Sequence, residues 1–142
     1  MDQTKRQRGN EEEQSEESPL LALLANGSSG RWSVTLDEST GGTEKWFLQV
    51  EGPSLHLCCE VDDPAILGRL ANVLQAPSGN LDVFKVGKLD RIPLLIQWDD
   101  EYDDTVSIMV GPDSRPLARY WIHGSDVRDL ADATRQAALD ME

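Results

Sequence analysis

The sequence has 142 residues, 39% of them hydrophobic and 27% charged, which is the length of one domain with enough apolar material for one core. Thirteen Lys and Arg against twenty-six Asp and Glu give a formal net charge of -13. This charge opposes phosphate backbones and anionic lipids, so neither nucleic-acid binding nor membrane-surface binding is expected. The apolar run at residues 20–25 is far shorter than the roughly 20 residues that a spanning helix needs.

Residues 1–30 are predicted to be a disordered acidic tail followed by a linker. Apart from the first residue, 1–18 hold no aliphatic or aromatic side chain, so they bury too little surface to offset the entropy of ordering. Residues 19–25 are predicted to form one helical turn, and the Gly- and Ser-rich residues 26–30 a flexible linker. A single domain then spans 31–142 and carries twenty of the twenty-six acidic residues, so most of the acidity belongs to the folded part.

The first half of this domain shows the period-two alternation that is typical of strands with one buried face. The predicted strands are residues 32–36, 46–50 and 55–61. The second and third of them are joined by a short Gly-Pro-Ser turn at 51–54, which predicts an antiparallel hairpin.

A helix is predicted after this hairpin. Asp63 accepts backbone N–H groups at a helix start, and Pro64 is tolerated in the first turn. Residues 66–74 then carry one apolar stripe at helical spacing, which needs a sheet beneath it, and Pro77 and Gly79 end the helix.

The second half of the domain repeats the change from strands to a helix. Four strands are predicted, at residues 81–86, 94–98, 105–110 and 117–122. Ser125 or Asp126 caps a final helix whose buried stripe runs to Met141. The order of three strands, helix, four strands, helix predicts an α+β fold: a mostly antiparallel sheet of about seven strands with two helices packed on one face.

The chain contains two histidines and two cysteines, which are the residue types that bind zinc or act as nucleophile and base. Cys58 and Cys59 are adjacent in a strand and point to opposite faces, so they do not form half of one metal site, and no metal or cofactor is expected. His56 and Cys58 share a face, but side chains two residues apart on a strand are separated by about 7 Å, too far for direct proton transfer. His123 precedes Gly124 at a strand end without a nucleophile-elbow motif, so no catalytic residue is assigned.

Five carboxylates stand within six positions between two predicted strands. This loop consists of Asp99, Asp100, Glu101, Tyr102, Asp103 and Asp104. Asp99, Glu101 and Asp103 follow the first spacings of a calcium loop, but Asp104 stands where that loop has glycine and Val110 where it has glutamate. A weak divalent-cation contact, a solvated turn, and a contact surface for a basic protein with Tyr102 as an anchor remain as alternatives.

Three of the four tryptophans, Trp32, Trp46 and Trp98, fall on the inward side of their strands and are predicted to pack in the core. Trp121 differs because it follows Tyr120 directly in a strand, so the two rings face opposite sides and one of them is exposed or covered by the tail. Trp121 is therefore added to the acidic loop as a candidate binding residue.

A small acidic α+β domain without a convincing catalytic set favours a binding protein for a basic partner. In size, charge, element order and the closing pattern from Trp121 to Val127 before a Leu- and Ala-rich helix, the chain resembles the general type of immunity protein that neutralises a cationic toxin. The resemblance implies an immunity-type inhibitor of a basic toxin or nuclease, held in place by the acidic loop.

Two alternatives remain open at this stage. One is a small metal-dependent or hydrolytic enzyme that uses His56 and His123, and the other is a self-associating subunit that dimerises through a sheet edge at 81–86 or 32–36. The cytoplasm is the expected compartment, because the basic start is followed by glutamates rather than by an apolar signal segment, and two cysteines do not make a disulfide scaffold.

Overall fold

The computed structural model describes residues 21–39, 45–76, 82–112 and 114–142. They form an antiparallel sheet of eight strands in chain order and two helices, so the predicted α+β class is confirmed. The strands are β1 (Leu21–Ser29), β2 (Trp32–Ser39), β3 (Trp46–Glu51), β4 (His56–Val61), β5 (Phe84–Leu89), β6 (Ile92–Trp98), β7 (Thr105–Val110) and β8 (Ala118–His123). Helix α1 (Ile66–Leu74) follows β4, and helix α2 (Ser125–Asp140) follows β8.

The predicted count of seven strands and their order are wrong by one element. Four strands precede α1 instead of three, because Leu21–Ser29 forms β1 and pairs with β2. The helical turn predicted at 19–25 and the linker at 26–30 are corrected by this strand. The tail predicted at 1–18 lies outside the described residues.

The interior positions of two strands also correct the predicted sheet edges. Both 32–36 and the described part of 81–86 lie inside the sheet, since β2 pairs on both sides and β5 lies between β4 and β6. The edge strands are β1 and β8.

The sheet curves around α2. This helix starts directly after β8 yet contacts β1 and β2 at the opposite edge as well as β8. A hydrogen bond of 2.6 Å between the hydroxyls of Ser54 and Tyr120 also connects the β3–β4 turn to β8. Both helices therefore cover the same face of one bent sheet.

The core lies between this face and the helices. Trp32 and Trp98 are buried there, as predicted, and Trp46 is partly buried against the same cluster. The indole of Trp32 donates to Asp126 at the start of α2 (3.0 Å), and that of Trp98 donates to the carbonyl of Val73 in α1 (2.8 Å). These bonds satisfy the indole N–H groups and fix both helices on the sheet.

Candidate functional site

The acidic loop, residues 99–104, is the connection between β6 and β7. Its base is closed by the amide of Asp99, which donates to the carbonyl of Thr105 (2.8 Å). A carboxylate oxygen of Asp99 accepts from the amides of Glu101 and Tyr102, each at 2.9 Å. Asp99 therefore shapes the turn, which is a role that Asp takes readily because its short side chain reaches the backbone two residues on.

The rest of the loop faces solvent. Asp100, Glu101, Asp103 and Asp104 are exposed, and Tyr102 is 65% exposed. Asp104 adopts a left-handed backbone (φ 58°), and its carbonyl accepts from the amide of Gly124 (2.7 Å), which ties the loop to the start of α2. The loop thus presents a phenol and four carboxylates from a hydrogen-bonded frame.

Trp121 lies on β8, on the face opposite the helices. Strand register places it beside Ser107 of β7, which in turn lies beside Gln97 of β6. The indole is 46% exposed, and the guanidinium carbon of Arg119 lies 5.8 Å from the ring centroid. A guanidinium over an indole face at this distance is a cation–π contact.

A cleft of about 270 Å³ connects the loop to this strand. Its lining residues are Gln97, Trp98, Asp99, Asp100, Ser107 and Arg119. Arg119 also donates to the sulfur of Met109 (3.2 Å), which is fully buried beneath it. One side chain, Arg119, therefore lines the cleft with two loop carboxylates and stacks on Trp121, so the structure brings the acidic loop and Trp121 onto one surface.

We call this surface, formed by the acidic loop, the cleft and Trp121, the loop–Trp121 surface. Gln97, Ser107 and Arg119 belong to it and were missed from the sequence. The strand alternation places each of them on the face opposite the core, but only the register between β6, β7 and β8 shows that they are neighbours.

The two histidines have different partners. His56 starts β4 and approaches the carboxylate of exposed Glu51 (3.9 Å), whereas His123 ends β8 and its Nδ1 lies 3.1 Å from the Thr105 hydroxyl. His56 and His123 thus have different neighbours, and neither of them lines the cleft beside the acidic loop.

The cysteines occupy opposite faces of β4, with Cys58 exposed and Cys59 buried, and neither forms a disulfide. Burial raises the pKa of the Cys59 thiol to about 12, with a smaller contribution from Cys58. Burial, and secondarily the carboxylate of Asp37, raises the pKa of Cys58. A reactive cysteine needs the opposite shift, so neither thiol has the environment of a nucleophile.

Within the described ranges, no group of three or more His, Cys, Asp or Glu side chains is arranged to hold a metal ion. The acidic loop gives a reason: one of its carboxylates, that of Asp99, already accepts two backbone N–H groups, and the others project outward. The divalent-cation interpretation of the loop gains no support from this arrangement.

A second cavity, of about 320 Å³, lies behind the acidic loop, between the end of α1 and the start of α2. Asp104, Arg128 and Asp132 line it together with apolar side chains of both helices. No histidine or cysteine lines this cavity, and Trp98 is the one residue that it shares with the lining of the cleft.

Comparison of the chain with protein-family models, with curated proteins and with solved structures found no match. Neither of the helices in the described part of the chain has the length and apolar character needed to cross a membrane.

Proposed function

We propose that this protein is a binding module that holds a basic protein partner on its loop–Trp121 surface. The observation that carries the proposal is the cleft that Asp99, Asp100 and Arg119 line together, because Arg119 also lies over the ring of Trp121. Charge alone gives attraction without a specific interface, and an exposed aromatic beside the charge provides an anchor.

The charges support the direction of the interaction. Four outward carboxylates on one loop attract a cationic surface over several ångströms and raise the rate of association. Arg119 is the cation already present in the cleft, and its guanidinium lies over the Trp121 ring and donates to the Met109 sulfur. The four outward carboxylates of the loop would then pair with cations of a partner.

In its narrower form, the proposal is an immunity-type inhibitor that covers the cationic active surface of a toxin such as a nuclease. Such a surface has to be basic in order to bind nucleic acid, which makes it complementary to the acidic loop. The cytoplasm is the compartment that we propose, because Cys58 and Cys59 remain unpaired thiols.

The test is affinity capture from a lysate of the source organism by the immobilised protein, at low salt and at about 1 M salt. At the higher concentration the Debye length is about 3 Å, so attraction between exposed charges is screened. The loop variant is Asp100→Asn/Glu101→Gln/Asp103→Asn, which leaves Asp99 in place because that carboxylate shapes the turn. We expect wild type to capture a basic protein that high salt releases, and we expect the loop variant and Trp121→Ala to lose it.

A matched control separates the loop from net charge. The variant Glu51→Gln/Asp62→Asn/Asp90→Asn removes three charges from exposed positions away from the loop and should capture the partner as wild type does. Equal capture by the loop variant, equal loss in both triple variants, or no specific partner at either salt concentration contradicts the proposal. If the captured protein is a nuclease, the narrower form requires that stoichiometric wild-type protein stop its cleavage of DNA.

A further inference from the structure

The outward backbone groups of the two edge strands, β1 and β8, differ in their hydrogen-bond partners. In β1, the amides of Asn26 and Ser28 point away from β2, and side chains of α2 bond both of them. Asp140 accepts from Asn26 at 3.1 Å and Gln136 accepts from Ser28 at 3.3 Å. Side chains of α2 therefore occupy the outer side of this edge at Asn26 and Ser28.

The other edge, β8, pairs with β7 on one side and with no second strand among the described residues. The amide of Gly124 donates to Asp104 across the β7–β8 pair, and this bond fixes the phase of the ladder. Alternate residues of an antiparallel strand point their N–H and C=O groups to opposite sides, so Tyr120 and Ile122 bond β7 while Arg119, Trp121 and His123 point outward. In the described part of the chain, no residue hydrogen-bonds to these outward backbone groups.

We infer that β8 takes an extended basic segment of the partner as a ninth strand of the sheet. This inference rests on the proposed function and specifies how the partner is held. An extended segment that pairs with an exposed edge gains main-chain hydrogen bonds for affinity, and its alternate side chains reach neighbouring surfaces for specificity. Here those side chains pass beside Trp121 on the face opposite the helices.

Charge selects the occupant. The acidic loop lies at the His123 end of β8, because Thr105, the first residue after the loop, pairs with His123. Lysine and arginine side chains of an added strand would reach these carboxylates. A second copy of this chain would instead bring another net charge of -13 to the same edge.

The probe is an acetylated and amidated octapeptide of alternating lysine and valine, and its control is the peptoid octamer with the same side chains and no backbone N–H. We expect the peptide to bind at least about tenfold more tightly than the peptoid, because only the peptide can complete the ladder. Hydrogen exchange followed by NMR should slow at least about tenfold for the amides of Arg119, Trp121 and His123, and should change little for Tyr120 and Ile122, which already bond β7.

A pair of variants isolates the backbone of β8. Both Arg119→Pro and Arg119→Ala remove the same side chain, but only proline removes an outward N–H, and proline is tolerated on an edge strand. Peptide binding should be at least about fivefold weaker for Arg119→Pro than for Arg119→Ala. The exchange measurement on wild type tests the inference even if the proline variant does not fold.

Three results overturn strand addition: equal binding of peptide and peptoid, unchanged exchange of the β8 amides with peptide bound, and no peptide binding at all. A dimer that protects the same amides without peptide also overturns it, in favour of a second copy at this edge. The proposed function fails separately, when the loop variant and Trp121→Ala still capture the partner.

Discussion

Cys58 and Cys59 are neighbours in the chain but occupy different environments, because consecutive residues of a strand face opposite sides of the sheet. Cys59 lies in the core, whereas Cys58 is exposed near Asp37, whose carboxylate accepts a hydrogen bond of 2.7 Å from Gln49. Both thiols have raised pKa values, mainly because folding removes water from around them, partly for Cys58 and largely for Cys59. At a pH between its two pKa values, such a thiol stays protonated in the folded state and is ionised in the unfolded state.

This difference makes stability fall with rising pH. The Cys59 thiol ionises near pH 9 in the unfolded chain and near pH 12 in the folded one, so above pH 9 the unfolded state binds fewer protons and is favoured. We expect the free energy of unfolding of wild type, relative to Cys59→Ala, to drop by about 1.4 kcal/mol between pH 7 and pH 10. Urea unfolding at both pH values measures it. Cys58→Ala is the control and should show a smaller drop, and a difference independent of pH would contradict the environment assigned to Cys59.

The contacts of Trp121 and Asp99 separate these two candidate binding residues. Tyr120 reaches the helix-facing side and bonds Ser54, so it is Trp121 that stays exposed. The sequence groups Asp99 with the other loop carboxylates, but its oxygen accepts two backbone N–H groups and holds the turn. The loop therefore combines one carboxylate that shapes it with four that project outward.

Among the elements, β1 and α2 pack closely together at Gly27. A Cβ atom at Gly27 would lie 2.3 Å from the carbonyl oxygen of Ala133 and 2.5 Å from the amide nitrogen of Ala137. Both are backbone atoms and cannot move aside as a side chain can. The absence of a side chain at Gly27 is what lets α2 lie on β1.

Gly27→Ala should therefore destabilise the protein by about 2 kcal/mol, since β1 must shift away from α2. The matched control is Gly68→Ala in α1, where a Cβ has nothing within 4 Å and where alanine favours the helix by about 0.5 kcal/mol or more. Thermal and urea unfolding should move in opposite directions for the two variants. Equal stability of Gly27→Ala and wild type would show that the strand and helix are not in this contact.

The missed strand β1 has a physical explanation at the same scale. Its register with β2 shifts between Leu23 and Ala25, which breaks the period-two alternation by which the other strands were predicted. Its second half, Asn26 to Ser29, is small and polar and is typical of a linker in isolation. It becomes a strand because its backbone pairs with β2 on one side and donates hydrogen bonds to side chains of α2 on the other.

In the whole molecule, one curved sheet packs against one side of α2. The helix contacts both the last strand and the first two, although every strand pairs with the next strand of the chain. The same curvature leaves β8 at an edge of the described sheet beside the acidic loop, whereas side chains of α2 bond the outward amides of Asn26 and Ser28 in β1. The candidate site lies where the β8 edge adjoins the loop.

Removal of β1 tests whether the packing of α2 on the sheet requires this strand. A chain that starts at Arg31 keeps every strand predicted from the sequence but loses the strand that covers Ala133 and Ala137 of α2. Natural domains are stable by only about 5–15 kcal/mol, so we expect this chain to show no cooperative unfolding transition by circular dichroism. A chain that starts at Leu21 is the comparison and should unfold cooperatively. If both chains unfold alike, the domain begins at Arg31 as the sequence predicts.

Local patterns in the sequence predict the α+β class, the seven strands after β1, the two helices, the burial of Trp32 and Trp98 and the acidity of the β6–β7 loop. These features depend on local periodicity and composition, which are set by neighbouring residues. The predicted cap of α2 by Ser125 or Asp126 is wrong, because Gly124 precedes the helix and no side chain caps it. Contacts between distant parts of the chain instead make β1 a strand, place β1 and β8 at the edges of the described sheet, and bring Arg119 and Trp121 beside the acidic loop. Those features depend on strand register and sheet curvature, which arise from contacts between residues distant in the chain and leave no local pattern in the sequence.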